Sequence, residues 1–305
     1  MADILAVRDV RKTFGSVRAV DGVSFTVRQG TITGLLGRNG AGKTTTIRMV
    51  TGIFLPDSGE IKWLGPEDGR SFRDRIGYLP EERGLYKQMK VIEQLLFLAE
   101  IKGHKPANVR KKVDYWLERF ELSDKRNGKV EELSKGNQQK VQLIGTLLHD
   151  PDLIILDEPQ SGLDPVNMVL VRNLLRDLRQ EGKTILLSTH MMAEAERMAD
   201  ELILIHRGQV VLEGTLDEIR GSRNNLHLGF DGDGSFLRDL PTVLRANIEN
   251  NGAELTLADG ADPQEILQAA MGRLRIRRFE VAAPSLEEIF IEKVGTETLS
   301  HEVKS

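Results

Sequence analysis

Residues Gly37-Arg38-Asn39-Gly40-Ala41-Gly42-Lys43-Thr44 have the types and the spacing to hold a polyphosphate. In the pattern G-x-x-x-x-G-K-[ST], glycines let backbone N–H groups turn inward around phosphate oxygens. Lys43 brings an ammonium to the β- and γ-phosphates, the Thr44 hydroxyl can ligate Mg²⁺, and Thr45 follows as a further phosphate contact. A second segment, Pro151-Asp152-Leu153-Ile154-Ile155-Leu156-Asp157-Glu158-Pro159, is an apolar run ending in two carboxylates. Asp157 can hold Mg²⁺ through water, and Glu158 can polarise an attacking water. Taken alone, the pair is also what a charged turn after a strand looks like. His190 comes third, at the end of an apolar run over 184–189; taken alone, a single histidine there is more often structural.

These groups need elements to position them. The run 31–36 reads as a buried strand ahead of the phosphate loop, and 44–50 as the helix behind it, whose N-terminal dipole faces the phosphates. The runs 151–157 and 184–188 read as buried parallel strands, and ligands of α/β sheets sit at the carboxyl ends of such strands. Shorter strands are expected over 4–10, 23–28 (Val23, Phe25 and Val27 alternate) and 58–64. From about 90 to 149 the apolar spacing becomes helical, with Val91, Leu95 and Leu98, then Val109, Val113, Leu117 and Phe120. Asp164-Pro165 opens a helix that Gly182 ends. Residues 201–206 and 209–213 read as a hairpin around Arg207-Gly208, and Thr215 with Glu218 as a capping box.

Leu133-Ser134-Lys135-Gly136-Asn137-Gln138-Gln139-Lys140 resembles the LSGGQ signature of ABC ATPases, with Lys135 in place of a glycine. Gln138 stands as the fifth-position glutamine displaced by one. Ser134 can equally cap the helix over 135–149. Together with the phosphate loop and the 151–159 segment, in this order, the resemblance covers about residues 1–220. It implies an α/β fold: a RecA-like P-loop ATPase core, an antiparallel β subdomain and a helical subdomain over about 87–149. It also implies ATP and Mg²⁺ as ligands, with Glu158 and His190 catalytic and Ser134 and Gly136 acting on nucleotide held by a second copy. Phe14 matches the position where the family stacks an aromatic ring on adenine, and a core phenylalanine is the other reading. Ile76-Gly77-Tyr78-Leu79-Pro80-Glu81 resembles the Q-loop segment with Glu81 in place of glutamine; Glu81 can ligate Mg²⁺ or be an exposed acidic turn. That departure, with Glu82-Arg83-Gly84-Leu85-Tyr86 after it, looks like ATPases of the ABC-2 exporter type. Ser161-Gly162-Leu163-Asp164 matches the D-loop; Asp164 can cap its helix, contact the dimer interface, or do both. Gln160 is an unusual neighbour.

Composition narrows the class. The chain has 305 residues, 40% apolar and 29% charged, as in ordinary globular proteins, and is long enough for two domains. A net charge of −4 supplies no global attraction to nucleic acid or anionic membrane. No cysteine is present, which excludes disulfides and thiolate metal sites. No apolar run reaches a membrane span and the start lacks a secretory signal, so the resemblance implies a cytoplasmic subunit, peripheral on the inner face of the cell membrane. Its expected partners are a separate permease chain and a second ATPase subunit in a homodimer, with no nucleic acid. A non-transport ABC ATPase or an ATP-dependent regulator is the alternative.

The cassette is expected over 1–221, followed by a linker at 221–225 and a small C-terminal α+β domain over 222–305. Its expected order is strand, short helix, two strands around Asn250-Asn251-Gly252, helix 262–271, strand 274–282 and helix 284–293. Arg273, Arg275 and Arg277 give that last strand one basic face, either solvated or anion-binding. Leu286, Ile289 and Phe290 stripe the final helix, to pack on its own sheet or on a partner chain.

Overall fold

The computed structural model describes residues 2–65, 71–82, 84–221, 225–258 and 260–302. Arg83 of the exporter-like segment and residues 222–224 of the expected linker lie outside them. The chain divides into two compact units, Met1–Thr215 and Leu216–Ser305. The short helix expected to close the cassette therefore groups with the second unit.

In the first unit, β1 (Asp3–Phe14), β2 (Val17–Arg28) and β4 (Ser58–Trp63) form an antiparallel sheet in the order β2-β1-β4. The first two strands are longer than the alternation suggests. Register shifts absorb the irregular stretch around Asp9, which sits at φ 44°, so the ladder runs on to the Phe14–Val17 pair.

The main sheet has the order β5-β6-β7-β3-β8-β9. Its strands are β3 (Ile32–Leu36), β5 (Ile76–Leu79), β6 (Leu153–Asp157), β7 (Thr184–Thr189), β8 (Glu201–His206) and β9 (Gln209–Gly214). All pairs are parallel except the β8–β9 hairpin. Every residue of β3, β6 and β7 is buried, which is why these segments read as mainly apolar runs without a polar alternate face. Helices α1 (Lys43–Val50), α2 (Phe72–Arg75), α6 (Pro165–Gln180) and α7 (Met192–Met198) accompany this sheet. A helical layer of α3 (Val91–Ile101), α4 (Pro106–Arg119) and α5 (Lys135–Leu147) closes on Leu95, Val113, Leu117, Phe120, Val141 and Ile144.

The second unit starts with α8 (Leu216–Arg220). Its antiparallel sheet has the order β11-β12-β10-β13, made of β10 (Asn225–Asp231), β11 (Val243–Glu249), β12 (Gly252–Leu257) and β13 (Arg275–Ala282). Leu226, Leu228, Phe230, Leu255 and Leu257 form its core with Ile266 and Ala270 of α9 (Pro263–Ala270). The final helix, α10 (Leu286–Glu302), runs beyond the expected 293. Its Leu286, Ile289 and Phe290 are buried within the chain. On the basic strand, Arg277 pairs with Asp231 at 2.6 Å and Arg275 is exposed. No helix among the described residues is long and apolar enough to cross a membrane.

Candidate active site

Three parallel strands end at the same level. The register pairs Leu36 of β3 with Thr189 of β7, and Asp157 of β6 with Ser188 of β7. The next residues in the chain, Gly37, Glu158 and His190, therefore emerge together at the carboxyl edge of the sheet, where open α/β sheets bind ligands.

The loop from Gly37 is shaped by backbone contacts. Gly37, Gly40 and Gly42 have φ of 156°, 81° and 110°. A Cβ on Gly37 would lie 2.4 Å from the Ile205 carbonyl oxygen, and one on Gly42 2.6 Å from that of Ala19. Glycine is thus required at both positions for steric reasons as well as for φ. Asn39 and Gly40 are exposed while Ala41 is buried against the β subdomain side. Gly42 caps α1 without any side-chain bond, so the first turn, with Lys43, Thr44 and Thr45, meets a ligand with its own N–H groups.

Lys43 is 5% exposed and folds back over the loop. Its Nζ donates to the Gly37 carbonyl at 2.7 Å and lies 3.5 Å from Glu158 Oε1. Glu158, 7% exposed, holds a left-handed φ of 50°. Its N–H donates to the Ser188 carbonyl at 3.1 Å and its Oε2 meets His190 Nδ1 at 3.0 Å. A non-glycine residue in this region costs of order 1 kcal/mol or more and persists where surrounding bonds over-determine it. Here the turn swings the carboxylate between an ammonium and an imidazole. His190 itself is half exposed.

Asp157 is fully buried. The Thr44 hydroxyl donates to its Oδ1 at 3.3 Å, and the Ser188 hydroxyl donates to the same oxygen. Asp157 Oδ2 is buried with no hydrogen-bond partner. A buried carboxylate oxygen left without a donor is costly unless something else meets it. Among the described residues, no three His, Asp or Glu side chains form a metal cage. One carboxylate and one hydroxyl suit Mg²⁺, which keeps several waters and takes phosphate oxygens as its other ligands.

The remaining expected residues fall in three places. Phe14 is 44% exposed, at the end of β1, so it is not a core residue. Phe54 stacks edge-on against it at 5.4 Å and Lys12 Nζ stands 5.7 Å from its centroid. Ser134 is exposed and caps α5, accepting from the Asn137 N–H at 3.2 Å. Gly136 packs by Gly162, Leu163 and Asn167 of the segment after Glu158. The Gln138 amide folds back to the carbonyls of Val130 and Leu133, both at 3.2 Å. Asp164 caps α6, accepting from the Asn167 N–H at 3.0 Å; that bond, then the Asn167 amide, holds its carboxyl below the usual range. Glu81 is exposed, while the Gln142 amide donates to the carbonyls on either side of it, Pro80 at 3.5 Å and Glu82 at 3.1 Å.

Sequence reasoning missed Ser188, Gln139 and Gln142. Ser188 sits inside an apolar strand, and only its register with Asp157 reveals the contact. Gln139 donates to the Pro159 carbonyl at 3.3 Å, from a helix position that in sequence looks solvated.

A profile described as ABC transporter matches residues 20–161. The chain is 45% identical over 294 residues to the ABC transporter ATP-binding protein YhaQ of Bacillus subtilis, covering 96% of this chain and 99% of that one. It belongs to the ABC transporter ATP-binding proteins. As a member of this family of ATP hydrolases, it carries the matched motifs on the cassette fold. The solved ATP-binding subunit of an ABC transporter superposes with a TM-score of 0.65 at 34% identity, over 71% of this chain and 92% of that one. A second profile, the C-terminal domain of DrrA1-3-like ATP-binding proteins, matches residues 214–294. The Nod factor export ATP-binding protein I of Ralstonia nicotianae is 35% identical over 304 residues, 96% of this chain and 94% of that one.

Proposed function

We propose that this ABC ATPase hydrolyses ATP to energise an exporter whose membrane-spanning permease is a separate polypeptide, and that it works at the inner face of the membrane as a homodimer. One observation carries the hydrolytic reading: the buried Glu158 carboxylate lies between Lys43 Nζ and His190 Nδ1, beside Asp157. The ATP phosphates take the loop N–H groups, and Lys43 turns from Glu158 to the β- and γ-phosphates. Phe14 stacks on the adenine, worth roughly 1–3 kcal/mol for a base on an aromatic ring. Glu158 accepts a proton from water as the water oxygen bonds to the γ-phosphorus. The bond from that phosphorus to the bridging oxygen breaks, leaving ADP and phosphate. His190 orients the γ-phosphate. Thr44 and Asp157 would hold Mg²⁺, with Glu81 a further candidate, and the bound ion would supply positive charge against the phosphate oxygens. Ser134 and Gly136 of a second copy complete the nucleotide site, and Asp164 stands at the interface between the copies.

The export reading is supported by the similarity to a Nod factor export ATP-binding protein along nearly the whole chain. The C-terminal unit is proposed as an accessory domain, over 222–305, that leaves nucleotide binding to the cassette. The test is purification of the tagged chain from gently solubilised source membranes. A polytopic membrane protein that copurifies and raises ATP turnover per cassette supports the proposal. A chain recovered with ribosomes or nucleic acid and no membrane protein contradicts it.

A further inference from the structure

Gln160, two residues beyond Glu158, has no part in the hydrolytic scheme, yet it is only 5% exposed. Its side-chain amide donates to Glu194 Oε2 at 3.4 Å. Glu194 is itself buried, on the first turn of α7, four residues after His190. Arg172 of α6 reaches the same Oε2 at 3.2 Å, and Arg197 of α7 reaches Oε1 at 2.7 Å. One buried carboxylate thus joins three elements: the segment leaving Glu158, the helix after Asp164, and the helix entered through His190.

The chemistry separates the roles within this cluster. Two guanidiniums already satisfy the Glu194 charge, so burying it does not require Gln160. The amide adds a neutral donor from the one segment that carries the catalytic carboxylate. His190 needs such support. Its ring is half exposed and its Nδ1 meets Glu158, so its place is set through the backbone on either side. On the strand side, the Met191 N–H donates to Thr189 Oγ1 at 3.0 Å; on the helix side, the Glu194 N–H donates to the Met191 carbonyl at 3.1 Å. The segment after Glu158 is held from behind by the Gln139 amide on the Pro159 carbonyl.

We infer that Gln160 and Glu194 form a brace that sets the His190 ring against the Glu158 carboxylate, which makes Gln160 a positioning residue for hydrolysis. The inference rests on the roles proposed for Glu158 and His190. A displacement of about 1 Å in a positioned catalytic group costs up to roughly a hundredfold in rate.

The experiment measures ATP turnover, ATP affinity and melting temperature for Gln160→Leu, Gln160→Glu, Glu194→Gln and the double variant Gln160→Glu/Glu194→Gln. Gln160→Leu keeps side-chain volume and leaves both ion pairs in place. It should lower kcat by about 10- to 100-fold while ATP affinity and melting temperature stay near wild type. Gln160→Glu sets two carboxylates together and Glu194→Gln leaves two guanidiniums without their counter-ion, so each single variant loses activity. The double variant restores one carboxylate and one amide, and kcat should return to within a few-fold of wild type. Wild-type kcat in Gln160→Leu overturns the brace, and so does a loss that tracks melting temperature or ATP affinity. A double variant no better than the worse single also overturns it. Where a single variant fails to fold, Gln160→Leu still decides. Glu158→Gln and His190→Ala in the same assay separate the two levels. If both are inactive and Gln160→Leu is fully active, only the brace fails; if both retain full activity, the underlying reading fails.

Discussion

Replacing Glu158 with Gln tests the hydrolytic centre with little disturbance to the fold. The two side chains have nearly the same volume, and neither is glycine, so the left-handed backbone at φ 50° is equally strained in both. What changes is charge. At an effective dielectric constant of about 20, the attraction of Lys43 Nζ for Glu158 Oε1 at 3.5 Å is about 5 kcal/mol before the solvation both ions give up. That attraction competes with the phosphates for Lys43. The variant should therefore bind ATP as tightly as wild type or more tightly. Turnover should fall by roughly 10²–10⁴-fold, the usual contribution of a general base. This corresponds to about 3–5 kcal/mol of barrier at about 1.4 kcal/mol per decade. Phosphate release at saturating ATP gives the first quantity and a calorimetric titration the second. Wild-type turnover, or loss of ATP affinity with turnover per bound nucleotide unchanged, would refute the reasoning.

Lys43→Ala should behave in the opposite way, weakening ATP binding itself by roughly 10- to 100-fold, as loss of a charged hydrogen bond costs about 1.5–3 kcal/mol; equal affinity by calorimetry contradicts this. A truncated chain ending at residue 221 should bind ATP like the full chain, and loss of binding by a folded 1–221 would place the C-terminal unit inside the catalytic body. Acid should weaken the fold through His149. Burial pulls its imidazole down to about 4, and its Nε2–H donates to the Ile76 carbonyl at 2.9 Å while Nδ1 is buried without a partner. Because the folded value lies below the unfolded one, the unfolded chain takes the proton first as pH falls. The contribution is complete above about pH 6.5 and is lost progressively toward pH 4, at most roughly 3 kcal/mol. Urea midpoints for wild type and His149→Gln across pH 7.5 to 4.5 should converge as the pH drops, and parallel curves would sink the assignment.

The phosphate loop, the Asp157–Glu158 pair and His190 were legible because each lies at the end of a buried parallel strand, and such strands are mainly apolar runs that also mark where their ends lie. The α+β order of the C-terminal unit was readable because turn residues such as Asn250-Asn251-Gly252 separate its elements, although β11 and β13 do not alternate strictly. Side-chain partnerships across the sheet were not. Ser188 looks like one polar residue in an apolar run until the parallel register sets it against Asp157. Gln139 and Gln142 look like the wet face of α5, yet both are buried and bond to backbone carbonyls of distant loops. The length of β1 was hidden because a register shift around Asp9 interrupts the alternation that marks a strand. Gln160 stood out only as an unusual neighbour of the D-loop segment, and nothing in the sequence pointed to its partner Glu194, thirty-four positions away.

The central claim is that ATP is hydrolysed between two copies of the cassette, with the phosphate loop of one facing Ser134 and Gly136 of the other. Ser134→Arg should abolish hydrolysis while leaving ATP affinity of the monomer intact, and Lys43→Ala should be inactive at ATP concentrations too low to fill its weakened site. Mixing the two inactive variants tests the claim most directly. If the sites are shared across a two-fold dimer, random exchange restores roughly a quarter of the competent sites, and phosphate release should reappear at about that level. A mixture of folded, dimerising chains that stays inactive would contradict the account.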